Sequence, residues 1–168
     1  MGHHLCAIAT TRPVADEVCA RVPQAFVMPL EHGVVMVPVI GAVSEALGDQ
    51  HPLEGPAMGA LHRFFESRPD HQLEALCAEV SSTGDVALIS TDYFGGVGEQ
   101  LAAVWSGGRV VFAERSAGDG PVRWKRSRGP INRALRILGV KRSWGRDEFD
   151  AVGLGEHRDL EDFDPEYS

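Results

Sequence analysis

The sequence predicts an α+β fold: an antiparallel sheet packed with four to five helices. Apolar runs with the length of strands come first, followed by stretches with helical apolar spacing. Three consecutive strands, forming a meander at about 86–113, and a further helix then complete the pattern. This order groups strands with strands and helices with helices, whereas a doubly wound sheet would alternate them.

In the first part of the chain, three short apolar runs predict strands. They are Leu5–Thr10, Ala25–Leu30 and Val34–Val37. A helix is predicted after the first strand, because Pro13 suits the first helical position and valines follow it at helical spacing until Pro23. Between the other two strands Glu31–Gly33 predicts a tight turn, in which Gly33 can adopt a positive φ.

Three helices are predicted before the meander. They are Val39–Leu47, closed by Gly48; a helix whose Met58, Leu61 and Phe65 share one face; and a helix capped by Asp70, with Leu73, Leu76, Cys77 and Val80 as its apolar stripe. Such a stripe at a spacing of three and four residues is typical of a helix that packs on a core.

The meander and the segment after it form the second part of the fold. Its predicted elements are the strands Val86–Phe94, Leu101–Trp105 and Arg109–Ala113, a loop at Arg115–Gly120, a helix from Pro130 to a C-cap at Gly139, and one helical turn at Asp147–Val152. Ser106–Gly108 predicts a hairpin turn between the last two strands. We expect one domain over residues 1–155 and an acidic, flexible segment over residues 156–168.

Cysteine usage and hydropathy indicate a cytoplasmic protein. Cys6, Cys19 and Cys77 are far apart and lie among apolar neighbours, which predicts buried free thiols in a reducing compartment. The first residues lack the pattern of a signal peptide, and no apolar stretch approaches the length of a membrane span. We therefore expect no membrane association.

Charge is distributed unevenly along the chain, whose formal net charge is −8. Residues 121–146 contain nine basic residues and no acidic one, together with Trp124 and Trp144. Residues 147–168 contain nine acidic residues against Arg158. Such asymmetry indicates either an interaction surface or mutual pairing of the two segments. Basic residues with aromatic neighbours also suit nucleic acid, but the adjacent acidic segment makes that reading less favourable.

The segment Ser90–Gln100 offers the richest chemistry. Asp92 and Glu99 flank a glycine turn and can approach each other across a hairpin, so they could act as an acid and a base in a small hydrolase or transferase, together with His157. A simpler interpretation is a turn that needs glycine. The sequence contains neither a phosphate-binding loop nor a set of metal ligands with known spacing, so no cofactor and no metal is expected.

Three blocks carry a family resemblance over about residues 85–163. They are Thr91–Gln100 with Ala103–Trp105, then Pro130–Val140, then Asp147–Arg158 with Glu161–Phe163. They resemble blocks in small uncharacterised bacterial proteins of the toxin-immunity type. The resemblance implies an immunity or antitoxin partner that binds and inhibits a bacterial toxin, and it points to no particular reaction.

We therefore expect an acidic binding protein with a protein partner, such as a toxin with a basic cleft, rather than an enzyme. Opposite charges would speed association and fix the register of such a complex. The residues expected to contact the partner are Asp92, Tyr93, Phe94, Glu99, Gln100, Trp105, Glu156 and His157. The alternatives are the hydrolase or transferase that uses Asp92 and Glu99, and a nucleic-acid binder that uses residues 121–146.

Overall fold

The computed structural model describes residues 3–50, 71–94, 97–118, 129–142 and 144–156. The predictions made for Met58, Leu61, Phe65, Asp70 and His157 lie outside these residues. The described part of the chain is an α+β fold built on one antiparallel sheet, as predicted.

The sheet has six strands in the order β2-β3-β1-β4-β5-β6, and all neighbours are antiparallel. The strands are β1 (His3–Thr10), β2 (Met28–Pro29), β3 (Val35–Pro38), β4 (Val86–Phe94), β5 (Val97–Ser106) and β6 (Arg109–Gly118). The predicted meander is confirmed, and it forms one half of the sheet. β1 lies in the middle because it pairs with β3 on one side and with β4 on the other.

Five helices accompany the sheet in the described residues, and a short 3₁₀ helix follows the last of them. They are α1 (Arg12–Arg21), α2 (Gly41–Gln50), α3 (His71–Val80), α4 (Pro130–Ile137) and α5 (Glu148–Ala151), with the 3₁₀ helix at Leu154–Glu156. Pro130 occupies the first turn of α4 as predicted, and Gly139 ends that helix with a φ of 90°. None of the helices in the described residues has the length and apolarity needed to cross a membrane.

The sheet has a core on each face, since side chains alternate along a strand. On β4, Leu88 belongs to the cluster formed with α1, α2 and α3, whereas its neighbour Ile89 belongs to the cluster formed with α4 and the α5 region. The face under α4 is rich in alanine, including Ala7, Ala87 and Ala102. Small side chains there allow the helix to pack close to the sheet.

Several predicted boundaries are wrong, for reasons that lie in tertiary packing. β5 begins at Val97, and β6 continues to Gly118, so Arg115 lies in a strand rather than in a loop. β5 and β6 are longer than predicted because each supplies backbone hydrogen-bond partners to the other. Gly48 lies inside α2 and does not end it. The strand predicted at Ala25–Leu30 is only the pair Met28–Pro29, at the sheet edge.

The turn between β2 and β3 is hydrogen-bonded to the segment that follows α5. His32 and Gly33 have φ values of 58° and 75°, as a tight turn with positive φ requires. The backbone N–H of Glu31 donates to the carbonyl of Val152 over 3.1 Å. This bond joins the end of the sheet near Thr10 to the segment that follows α5.

Candidate interaction surface

The two carboxylates singled out in the sequence lie directly opposite each other on β4 and β5, where Asp92 is the register partner of Glu99. Arg115 on β6 donates from Nη2 to Oε2 of Glu99 over 2.8 Å. Asp92 is exposed, and its Oδ1 lies 3.9 Å from Nδ1 of His4. Arg115 therefore pairs with the carboxylate of Glu99, whereas the carboxylate of Asp92 is mostly in contact with solvent.

The other predicted contact residues are scattered. Trp105 is 2% exposed and belongs to the core under α1 and α3, so its prediction as a surface anchor does not fit the structure. Gln100 is half-buried beside the carboxylate pair. Tyr93 and Phe94 lie on β4, and their side chains are outside the described part of the molecule, as is His157.

Asp92 and Glu156 lie at opposite ends of the sheet. Asp92 pairs with His4 at the start of β1, whereas Glu156 and Glu31 line one cleft near the end of that strand. The strand rises about 3.4 Å per residue, so about 20 Å separates the two ends. The predicted residues therefore do not form a single site in the described structure.

Trp144 is the most exposed large apolar side chain in the described structure, with 103% of its reference area accessible. It lies in the segment between α4 and α5, residues 138–147, which we call the Trp144 loop. Lys141, Arg142 and Arg146 of this loop are also exposed. A fully exposed tryptophan in a loop with three exposed cations is the most unusual feature of this surface, because tryptophan side chains are highly buried on average.

A buried carboxylate on α5 is hydrogen-bonded to the Trp144 loop. Glu148 on α5 is 1% exposed, and its Oε1 accepts hydrogen bonds from Nε of Arg136 at 2.5 Å and from Nε of Arg142 at 3.1 Å. Burial opposes ionisation of Glu148, but the hydrogen bonds from Arg136, from the backbone and from Arg142 outweigh it and lower the pKa of this carboxyl. Glu148 is therefore a charged, satisfied group at neutral pH.

Asn132 provides a second attachment. Its side chain is buried on α4, where its Oδ1 accepts from the backbone N–H of Phe149 at 2.7 Å. Its Nδ2 donates to Oδ2 of Asp147 over 3.3 Å. Asp147 also caps α5, because its Oδ1 accepts from the N–H of Asp150 at 3.0 Å. Asn132 thereby fixes the end of the Trp144 loop.

The Trp144 loop is thus held on both sides of its tryptophan, by Arg142 before it and by Asp147 after it. Burying Glu148 and Asn132 costs free energy that an apolar pair would not cost, so such groups indicate a structural requirement other than stability alone. Here they fix a surface loop. Periodicity could not have revealed this network, because its members are spread over residues 132–148 and meet only when α4 and α5 pack together.

The thiols of Cys6 and Cys77 are poorly suited to act as nucleophiles. Burial raises the pKa of the Cys6 thiol to about 12 and raises the pKa of the Cys77 thiol further still. The described residues contain no cluster of three or more His, Cys, Asp or Glu side chains suited to a metal ion.

Comparison of the chain with models of protein families, with curated proteins and with solved structures finds no match.

Proposed function

We propose that this chain is a binding protein of the toxin-immunity type, which contacts a partner protein through the Trp144 loop. The complete exposure of Trp144 carries the proposal. Tryptophan and arginine are the residues most enriched among those that dominate the binding energy of protein interfaces. Trp144 lies between Arg142 and Arg146, so the loop presents both kinds of side chain together.

The attachment of the loop supports the same proposal. Ordering a flexible loop on binding lowers affinity, because conformational freedom is lost at that moment. The hydrogen bonds of Glu148 to Arg142 and of Asn132 to Asp147 order the Trp144 loop before any partner arrives. A preordered anchor of this kind retains more of its contact energy as affinity.

The acidity of the chain favours a partner with a basic cleft. The net charge is −8, and Glu156 lies next to Arg146 in the cleft at the α5 end of the sheet. Residues 157–168 contain further carboxylates in the sequence. The opposite net charges would speed the encounter with such a partner, and Trp144 would provide the apolar contact.

The test is a binding measurement with the products of genes adjacent to the gene for this chain. Trp144→Ala should weaken binding to the partner by about 30-fold, equivalent to about 2 kcal/mol. The matched control is Val111→Ala on β6, which also removes an exposed apolar side chain, 56% accessible, and should change affinity less than about twofold.

Two outcomes would contradict the proposal. Equal affinity of the Trp144→Ala and Val111→Ala variants for the partner would show that the Trp144 loop is not the contact surface. Salt-dependent binding of a single-stranded oligonucleotide that is lost with Trp144→Ala, without any protein partner, would instead indicate a nucleic-acid binder. Melting temperatures of both variants must match the wild type, because both residues are exposed and should leave folding unchanged.

A further inference from the structure

We propose that Arg136 and Arg142 together form a binding site for an oxyanion, and that a carboxylate of the partner protein occupies this site in the complex. The inference names the chemical group that the surface recognises, and in that respect it rests on the function proposed above. The site itself is a property of the free chain, so its existence can be tested without a partner.

The charge around Glu148 is unbalanced. Its carboxylate pairs with both Arg136 and Arg142. In the other ion pairs of the described residues, each arginine has at least one carboxylate of its own. The two guanidinium groups on Glu148 therefore carry one positive charge more than the carboxylate neutralises.

The hydrogen bonds of Glu148 bring the two guanidinium groups close together. Nε of Arg136 and Nε of Arg142 donate to the same oxygen, Oε1 of Glu148, over 2.5 and 3.1 Å. The two nitrogens therefore lie no more than about 6 Å apart. Like charges at this distance repel each other, so an anion that bridges both groups would lower the electrostatic energy of the site.

The two arginines are positioned for such a ligand before it arrives. Glu148 is 1% exposed, so it orients both side chains from inside the protein. The side chains of Arg136 and Arg142 are 42% and 54% accessible. A guanidinium group is planar, and its N–H donors form a rigid fork that matches the two oxygens of a carboxylate. Two such groups carry more donors than the carboxylate of Glu148 can accept.

The surroundings favour a carboxylate of a protein over a strand of nucleic acid. A carboxylate carries a single negative charge, which matches the excess charge of the two arginines over Glu148. Nucleic acid is a polyanion, and a chain of net charge −8 repels it at long range. A partner protein of net positive charge is attracted instead. A carboxylate on its surface can then contact the arginines and fix the register of the complex.

The test follows the Nε–Hε signals of the arginines in NMR spectra of the wild-type chain during a titration with sodium acetate. Acetate replaces chloride at constant ionic strength, so that screening does not change. The signals of Arg136 and Arg142 should saturate, with a half-saturating concentration at least about threefold lower than that of Arg133. Arg133 is the internal control, because it is 50% accessible and its described ion pair is to Glu114.

Arg142→Lys separates the geometry of the site from its charge. Lysine retains the positive charge beside Glu148 but lacks the planar fork. The half-saturating acetate concentration at Arg136 should therefore rise at least about threefold, while the melting temperature stays close to that of the wild type. Shifts that grow linearly with acetate, and to the same extent at Arg133, Arg136 and Arg142 of the wild type, would overturn the inference.

A second titration identifies the source of the anion. It compares an oligoglutamate peptide with an oligothymidylate of the same charge. The peptide should shift the signals of Arg136 and Arg142 at the lower concentration. Saturation by the oligothymidylate at the lower concentration would overturn the assignment to a protein carboxylate and would indicate nucleic acid.

The partner protein distinguishes this inference from the proposed function. Arg142→Lys should weaken its binding about tenfold, whereas the control Arg133→Lys should change affinity less than about twofold. A loss of binding in Trp144→Ala but not in Arg142→Lys would overturn the carboxylate contact and leave the proposed function in place. Saturable acetate binding without any effect of Arg142→Lys or Trp144→Ala on the partner would remove the proposed function, and with it the partner as the source of the carboxylate.

Discussion

The buried side chain of Glu148 holds the Trp144 loop in position on the surface. Its carboxylate accepts from two arginines that belong to different segments, Arg136 on α4 and Arg142 in the Trp144 loop. A buried ion pair contributes little net stability compared with a well-packed apolar pair, but removal of one partner is strongly destabilising. The role of Glu148 is therefore to fix one arrangement of the loop rather than to add stability.

Glu148→Gln should lower the free energy of unfolding at neutral pH by about 2–3 kcal/mol, measured by urea denaturation. The substitution leaves two guanidinium groups without their anion. The expected loss is smaller than the roughly 3–5 kcal/mol typical of a fully buried pair, because the side chains of Arg136 and Arg142 are 42% and 54% accessible and regain water. A change below about 0.5 kcal/mol, the usual size for a surface substitution, would contradict the assignment.

Because of this carboxylate, the difference in the free energy of unfolding between the wild type and the Glu148→Gln variant depends on pH. The pKa of Glu148 is lowered below its ordinary value of 4.5, so the folded state binds its proton more weakly than the unfolded chain does. The stabilising contribution is therefore complete above that ordinary value and is lost as the pH falls through the lowered pKa. The difference in stability between the wild type and Glu148→Gln should therefore narrow as the pH falls below 4.5, and a difference that widens in acid would contradict this assignment.

Cysteine reactivity offers an independent check at the residue scale. Burial raises the pKa of Cys6 to about 12, so the reactive thiolate form of this side chain is scarce at pH 8. Cys77 is fully buried, whereas Cys19 is partly exposed. Iodoacetamide should therefore label Cys19 first in the folded protein and all three cysteines after denaturation. Rapid labelling of Cys77 in the native state would show that the core around α3 is open.

At the scale of single elements, Gly48 and Gly84 occupy different environments. Gly48 lies inside a helix, whereas Gly84 packs closely against another helix. Gly48 lies within α2, and among the described residues a Cβ placed on it would meet no heavy atom within 4 Å apart from its chain neighbours and the backbone of its own helix. Gly84, just before β4, faces α1, and a Cβ there would lie 3.0 Å from Cγ2 of Val14. The two positions therefore have opposite expectations for the same substitution.

Gly48→Ala should stabilise the protein by about 0.5–1 kcal/mol, because alanine loses less backbone freedom than glycine in a helix. Gly84→Ala serves as its counterpart and should destabilise by about 1 kcal/mol or more, since Val14 is itself buried and must shift. Thermal melts of both variants test the pair. Destabilisation by Gly48→Ala would restore the interpretation that Gly48 ends the helix.

At the scale of the whole molecule, the two cores share one sheet. Leu88 and Ile89 are neighbours on β4, yet they point to opposite faces and belong to different clusters. The hydrogen-bonded ladders of β1, β4 and β5 connect the two faces directly. We therefore expect the two faces to unfold together.

Leu88→Ala and Ile89→Ala should each lower the free energy of unfolding by about 2–5 kcal/mol, as is usual for a large aliphatic side chain removed from a core. Both should shift one and the same calorimetric transition. The fluorescence of Trp105, which belongs to the same core cluster as Leu88, should change at the same denaturant concentration as the far-UV circular dichroism of the helices. Two separate transitions would show that the faces are independent units.

Local signals were enough for the order of the elements and for much of the core. Helical spacing identified Leu73, Leu76, Cys77 and Val80, all of which are buried on α3. The boundaries of β4 were predicted as they are found. The ends of β5 and β6 were missed because a strand continues as long as a neighbour supplies hydrogen bonds, and the neighbour is set by the register of the hairpin.

The amino-acid sequence by itself determined the α+β class, the meander and the separation of charge, because these depend on spacing between nearby residues. Only the tertiary structure decided that Trp105 is core and Trp144 surface, that Asp92 and Glu156 lie at opposite ends of the sheet, and that Glu148 meets both Arg136 and Arg142. Burial and pairing between distant segments depend on how helices pack on each face of the sheet, and no local pattern contains that information.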